Sequence, residues 1–296
     1  MRRMLFTALL LAAARSAGAQ RVPGRDLLDF PIGTLAEPAA LASEVGDGLW
    51  NPATLALPAA RRARASAGAL ATGEDQGVAA QTIAAAVALP HDLTVGLSLL
   101  HAAVRDLVHT ETDPQSLGDI PYGTTLASAL LARQDANVTS GVALRWRQGQ
   151  AGSARRSAFG VDGGVVARGL GRRDARLGVS SFLWRPADAR DERTSLLAAG
   201  DVRLGGSSER SELRAGYGFT LTEQLGQEHY AFVGGRSGVI ALRAGLARSL
   251  DYGVYNWRTR LGVGLHYARY TLGLAREDGP SGLAPAYQFT LTSTLK

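Results

Sequence analysis

The chain has 296 residues, no cysteine, 36 glycines and 11 prolines, with 46% hydrophobic and 20% charged residues. The lack of cysteine excludes disulfide stapling, thiolate metal sites, cysteine nucleophiles and lipid attachment through an N-terminal cysteine, and the apolar content is too high for a disordered chain. Net charge is +6, and arginine supplies every basic residue except Lys296; a GC-rich genome produces that bias, and because the arginines form no block, nucleic acid is not an expected partner.

Residues 1–19 read as an export signal. Arg2 and Arg3 form a charged start, Met4 to Ala14 is an apolar run too short to span a bilayer, and Ala17-Gly18-Ala19 supplies a small-residue cleavage site. Gln20 is the expected first residue of the mature chain. No second stretch is long and apolar enough for a membrane helix.

Residues 20–61 differ from the rest. They carry Leu27, Leu28, Phe30, Ile32, Leu35, Leu41, Val45, Leu49, Trp50, Leu55 and Leu57 without a period-two pattern. Glu37 to Val45 has helical character, and Gly46 to Gly48 would end it. In Trp50-Asn51-Pro52-Ala53, Asn51 suits a backbone-bonding turn, Pro52 fixes φ and disfavours helix at Asn51, and small Ala53 permits a close approach. The same residues also suit a plain helix-terminating turn. So apolar a segment needs burial, in the lumen of a barrel or as a short periplasmic cap.

From residue 62 the chain alternates. Tyr287, Phe289, Leu291 and Leu295 share one face while Gln288, Thr290, Thr292 and Thr294 share the other. Leu213, Ala215, Tyr217, Phe219 and Leu221 oppose Arg214, Gly216, Gly218 and Thr220. Leu261, Val263 and Leu265 oppose Arg258, Arg260, Gly262, Gly264 and His266. Val138, Val142, Leu144 and Trp146 oppose Thr139, Gly141, Ala143, Arg145 and Arg147. Period two places successive side chains on opposite faces of a strand. The pattern predicts strands at 62–71, 77–88, 93–104, 121–131, 137–147, 157–168, 174–184, 193–204, 209–221, 228–233, 239–248, 257–267, 270–276 and 285–295, with the poorest alternation at 77–88 and 193–204. Roughly ten residues is the length of a tilted strand crossing a bilayer.

The fold expected is therefore all-β: a transmembrane antiparallel barrel of about 14 strands over 62–296, with a short, partly helical N-terminal hatch at 20–61 in its lumen. Longer connections are expected at one end, among them Arg105–Ile120, Gln148–Arg156, Arg185–Glu192, Ser249–Asn256 and Arg276–Ala284. Short ones are expected at the other, including Leu89–Asp92, Gly205–Ser208 and Ala268–Arg269. That asymmetry is characteristic of outer-membrane barrels. A secreted soluble sandwich or propeller also alternates, but a packed interior would not repeatedly face Gly, Thr and Arg, and no blade-like repeat is visible.

Gly33-Thr34-Leu35-Ala36-Glu37-Pro38-Ala39-Ala40-Leu41-Ala42, running into Gly48-Leu49-Trp50-Asn51-Pro52-Ala53-Thr54-Leu55-Ala56, resembles the N-terminal hatch of FadL-type outer-membrane proteins. It is most similar to the PorV/PorQ branch, where an alanine-rich helix precedes an aromatic residue and an Asn-Pro-Ala-Gly-Leu motif. Leu272 to Arg276, Gly282-Leu283 and Tyr287 to Leu291 are similar to the end of that branch. Thr54 stands where that family usually has glycine, and the chain ends Leu295-Lys296 rather than on an aromatic residue. The resemblance implies a hatch motif at Trp50, Asn51, Pro52 and Ala53.

Catalytic and metal sites are not expected. His91, His101, His109, His229 and His266 show no paired-ligand spacing, and no glycine run matches a P-loop or dinucleotide fingerprint. His109-Thr110-Glu111-Thr112-Asp113, three ligand types on alternate loop positions, reads as ordinary loop polarity rather than a calcium site. No Ser/His/Asp set stands out. No cofactor is implied, and the chain is not expected to be an enzyme. Two functions fit a bacterial outer-membrane location. One is uptake or binding of hydrophobic small molecules through a hatch-gated lumen. The other, implied by the resemblance, is an adaptor in a type IX-like secretion or surface-attachment system. Expected partners are outer-membrane lipid, the barrel assembly machinery and either a hydrophobic ligand or secretion-system proteins.

Overall fold

In the computed structural model, the described residues are 21–30, 32–43, 48–56, 62–73, 76–105, 107, 118–185, 192–208, 211–223, 226–251, 253–279 and 283–295. The signal-like segment 1–19, the loop stretch His109 to Asp113 and Val45 to Gly46 lie outside them.

Fourteen antiparallel strands close into one barrel: β1 Ala63–Ala71, β2 Val78–Leu89, β3 Leu93–Val104, β4 Tyr122–Asp135, β5 Val138–Ala151, β6 Ala154–Leu170 and β7 Ala175–Phe182, then β8 Ser195–Ser208, β9 Ser211–Thr222, β10 Gly226–Ser237, β11 Ile240–Asp251, β12 Val254–Tyr267, β13 Tyr270–Glu277 and β14 Ala286–Leu295. Each strand pairs with its sequence neighbours, and β1 closes on β14 from Ala63 opposite Leu295 to Ala71 opposite Tyr287. Closure leaves no edge of unpaired backbone, which is what allows strands to sit in lipid.

The two faces fall where the alternation puts them. Tyr217, Leu261, Val263, Phe289 and Leu291 are exposed on the outside, whereas Arg145, Arg147, Arg260, Thr290 and Thr292 are buried inside. On β12 the outward aromatics Trp257 and Tyr267, 61% and 73% exposed, bracket Leu261, Val263 and Leu265. Ten residues at about 3.4 Å, tilted by ~40°, rise about 26 Å, close to the ~25 Å apolar band of such barrels.

Several boundaries move. The tenth strand extends to Gly226–Ser237 rather than 228–233, because Gly234 and Gly235 pair with Arg214 and Leu213 on one side and Arg243 and Leu242 on the other. Both poorly alternating segments, 77–88 and 193–204, are strands. Two expected long loops shrink: β5 and β6 are joined by 152–153 alone, and β11 and β12 by 252–253, since Gln148–Ala151 and Ser249–Asp251 continue their ladders. The asymmetry survives in 105–121, 183–194 and 278–285 at one end, against 90–92, 136–137, 171–174, 209–210, 238–239 and 268–269 at the other. The helix expected over Glu37 to Val45 is, in its described part, a single turn, with Leu41 and Ala42 N–H both donating to the Pro38 carbonyl. Ala40 gives its carbonyl to the Asn51 side chain instead of to a following turn.

Candidate functional site

Residues 21–56, as far as described, lie inside the barrel. Their start is at the end with the longer connections, where Asp26 accepts a hydrogen bond from the Tyr122 hydroxyl at 2.5 Å. Their end is near the opposite rim, where Leu55 and Ala56 pack on Ala86, Leu130 and Ala132. Between these points Leu27, Leu28, Ile32, Leu41, Leu49 and Trp50 form the largest buried cluster, with Leu100, Leu126, Val166, Phe182 and Leu197 of the wall or its connections.

Trp50, Asn51, Pro52 and Ala53 act as one corner. The Trp50 indole donates from Nε1 to the Ile32 carbonyl at 2.8 Å and lies 4.8 Å from the Phe182 ring. Asn51 is fully buried: its Nδ2 donates to the Ala40 carbonyl at 2.7 Å, and its Oδ1 accepts from Ala53 N at 3.0 Å, capping a 3-10 turn at Pro52–Leu55. Pro52 opens that turn, where no N–H is needed. Thr54, at the position where glycine is usual in the resembling family, donates its hydroxyl to the Asn51 carbonyl at 2.9 Å. The wall is dented to receive this corner. Gly141 and Gly164 face each other across β5 and β6, and a Cβ on either would fall 2.4 Å from Pro52 or 2.0 Å from Asn51.

A segment with so little regular structure leaves carbonyls without ladder partners, and buried carbonyls need donors. Inward arginines supply them. Arg147 gives all its N–H directions: to Glu192, to the Val22 and Pro23 carbonyls at 2.8 and 2.6 Å, and to Thr124. Arg145 joins Asp162 at 2.7 Å, Ser128, and the Leu49 carbonyl at 2.6 Å. Arg64 reaches the carbonyls of Ser43, Thr54 and Leu55. The planar five-donor guanidinium suits this bridging as an ammonium does not. Arg145 and Arg147 stand on a polar face read from the sequence, but no local signal pairs any of the three arginines with the segment.

The opposite wall is not filled. A cavity of about 560 Å³ lies between the segment and β8–β12. It reaches from Thr222, Gly226, Val254 and Asn256 at the rim with the longer connections down to Glu37, Tyr230 and Arg260. Leu28, Phe30, Pro38, Ala39, Ala40, Trp50 and Leu197 give it apolar walls. Its charged floor is internally balanced: Arg260 lies 2.9 Å from both Glu228 and Glu277, Arg258 pairs with the same two carboxylates, and Tyr230 stacks 4.8 Å from the Arg260 guanidinium. Asp29 faces the cavity. Its carboxylate lies 2.7 Å from the Arg25 guanidinium. Among the described residues no three metal-ligating side chains gather.

No protein-family model matches the chain, and no curated protein sequence matches it. Several solved structures are similar to it. The toluene transporter TodX of Pseudomonas putida is 11% identical with a TM-score of 0.59, over 94% of this chain and 99% of that one. OprB of Pseudomonas putida is 9% identical with a TM-score of 0.45, over 79% and 91%. A porin of Rhodopseudomonas blastica is 8% identical with a TM-score of 0.42, over 79% and 98%. The TodX match shows a shared closed-barrel fold and lends nothing to the PorV/PorQ branch in particular.

Proposed function

We propose that the chain is an outer-membrane transporter of hydrophobic or amphipathic small molecules, with residues 20–61 as a hatch that also forms one wall of the binding site. It would reach the membrane through a signal cleaved after Ala19. The observation that carries this reading is the cavity of about 560 Å³ beside the segment: its size is that of a small-molecule site, and apolar walls with a few polar groups are what such sites share. Carriage of an apolar compound is also what TodX is described as doing. No specific observation favours the secretion-adaptor reading or an enzymatic one.

Thr220 lines the cavity from β9, and Leu221 beside it faces outward. Purified protein should retain radiolabelled naphthalene, Thr220→Trp should retain at least about tenfold less, and Leu221→Trp should match the parent. Equal retention by Thr220→Trp and the parent contradicts the proposal.

A further inference from the structure

The lipid-facing wall carries little charge, and its arginines mostly have an obvious place. Arg155 donates to Gln150 near the tip of the β5–β6 hairpin, Arg276 pairs with Asp278 at 2.7 Å, and Arg133 sits beside the short turn after β4. Arg248 is different. It faces outward on β11, directly opposite the girdle residue Trp257, and its Nε is buried without a hydrogen-bond acceptor. Its interactions among the described residues are with ring faces: the guanidinium carbon lies 3.9 Å from the Tyr255 centroid and 5.5 Å from that of Trp257.

The strand register extends this into a row. Phe219 on β9 is opposite His229 on β10, His229 is opposite Arg248 on β11, and Arg248 is opposite Trp257 on β12. His229 is held by a hydrogen bond between its Nδ1 and the Tyr217 hydroxyl, with the Phe219 ring 5.1 Å away. Two basic side chains are thus fixed between aromatic rings at one height. That height is the girdle at the end with the longer connections, which in outer-membrane barrels faces the exterior. A ring face holds a guanidinium by its charge and leaves the in-plane N–H donors unused. A bare cation at the edge of hydrocarbon is costly, and an anionic headgroup removes that cost.

We propose that the row Phe219–His229–Arg248–Trp257 is a binding site on the outer wall for the phosphate of a phosphorylated glycolipid in the outer leaflet, with Arg248 as its principal donor. The aromatic rings would lie against the lipid's backbone and first methylenes, as such residues do at membrane interfaces. This rests on the outer-membrane placement and is independent of what the lumen carries.

The test is native mass spectrometry of the full-length protein in detergent, titrated separately with bis-phosphorylated lipid A, with lipid A stripped of both phosphates, and with inorganic phosphate. Folding of each variant is checked by heat-modifiable gel migration. The parent should retain bis-phosphorylated lipid A in preference to the stripped form. Arg248→Gln should weaken that retention by about tenfold, because it removes a charge-assisted hydrogen bond to the phosphate. Arg248→Lys should fall between, keeping charge without the fork. Excess inorganic phosphate should not displace the lipid. Should Arg248→Gln fail to migrate as a folded barrel, His229→Gln carries the same test with a smaller loss. Retention unchanged in the folded variant, equal retention of the stripped lipid, or displacement by inorganic phosphate would overturn the proposal.

Discussion

The two sides of the lumen hold the same N-terminal segment unequally. Against β4–β6 it is bolted down: glycine dents receive Asn51 and Pro52, and Arg145 and Arg147 bond its carbonyls. Against β8–β12 it is held at fewer points, Arg25 to the Ser195 hydroxyl and the Tyr230 hydroxyl to the Ala36 carbonyl, both at 2.7 Å, and beside them lies a cavity whose arginines and glutamates pair with one another. One side supplies most of the attachment, and the other supplies some of it together with the space. The contrast shows how a barrel can hold a segment in its lumen and still leave space beside it: most of the bonds to the segment's carbonyls come from one wall, and the other is not required to close on it.

The largest effect should come from breaking the attached side. Arg145 and Asp162 are both fully buried, and removing one member of a buried pair strands the other at about 3–5 kcal/mol. Arg145→Leu should therefore unfold at markedly lower urea than the parent in detergent, while Arg145→Leu with Asp162→Leu should recover much of the loss. Next comes the wall itself. Leu261→Arg faces lipid and should cost about 2–4 kcal/mol near the midplane, whereas Thr220→Arg, facing the cavity, should cost clearly less. A greater loss at Thr220 in vesicle-refolding titrations would mean that inside and outside are exchanged.

A subtler change targets the dent. Gly164→Val puts methyl groups where Asn51 Oδ1 sits, and overpacking of this kind costs about 1–3 kcal/mol. The cysteine-free chain permits a clean readout: a cysteine introduced at buried Ala53 should react with maleimide slowly in the parent and much faster beside Gly164→Val. The smallest effect lies at the rim of the open side. A hydrogen bond from Thr259 holds the Asp278 carboxyl below its ordinary range. A lowered acid contributes stability that is complete above the unfolded-state value and is lost as pH falls through the folded one. At this exposed position the contribution is below about 1 kcal/mol. Asp278→Asn should flatten only the acid edge of the stability–pH curve, below about pH 4.

The wall was largely legible in the sequence because alternation is local: a strand of ten residues declares its two faces by itself, as Leu261 and Arg260 do. What misled was also local. The span expected for the tenth strand ends at 233, just before Gly234-Gly235, yet glycine continues a ladder when neighbouring strands hold it on both sides. Trp50, Asn51, Pro52 and Ala53 stood out through turn chemistry, although their partners did not. Arg147 and Val22 are 125 residues apart, and so long-range a pairing leaves no trace in either neighbourhood. The cavity was least legible, being set by where the segment does not reach.

The central claim is that the N-terminal segment closes the lumen and bounds the cavity. Deleting residues 21–53 should leave a foldable barrel, because the wall's hydrogen bonds close without the segment and the freed arginines would meet water. In planar bilayers the full-length protein should then show little steady conductance and the deleted form an open, ohmic one. Equal conductance of the two would contradict the account.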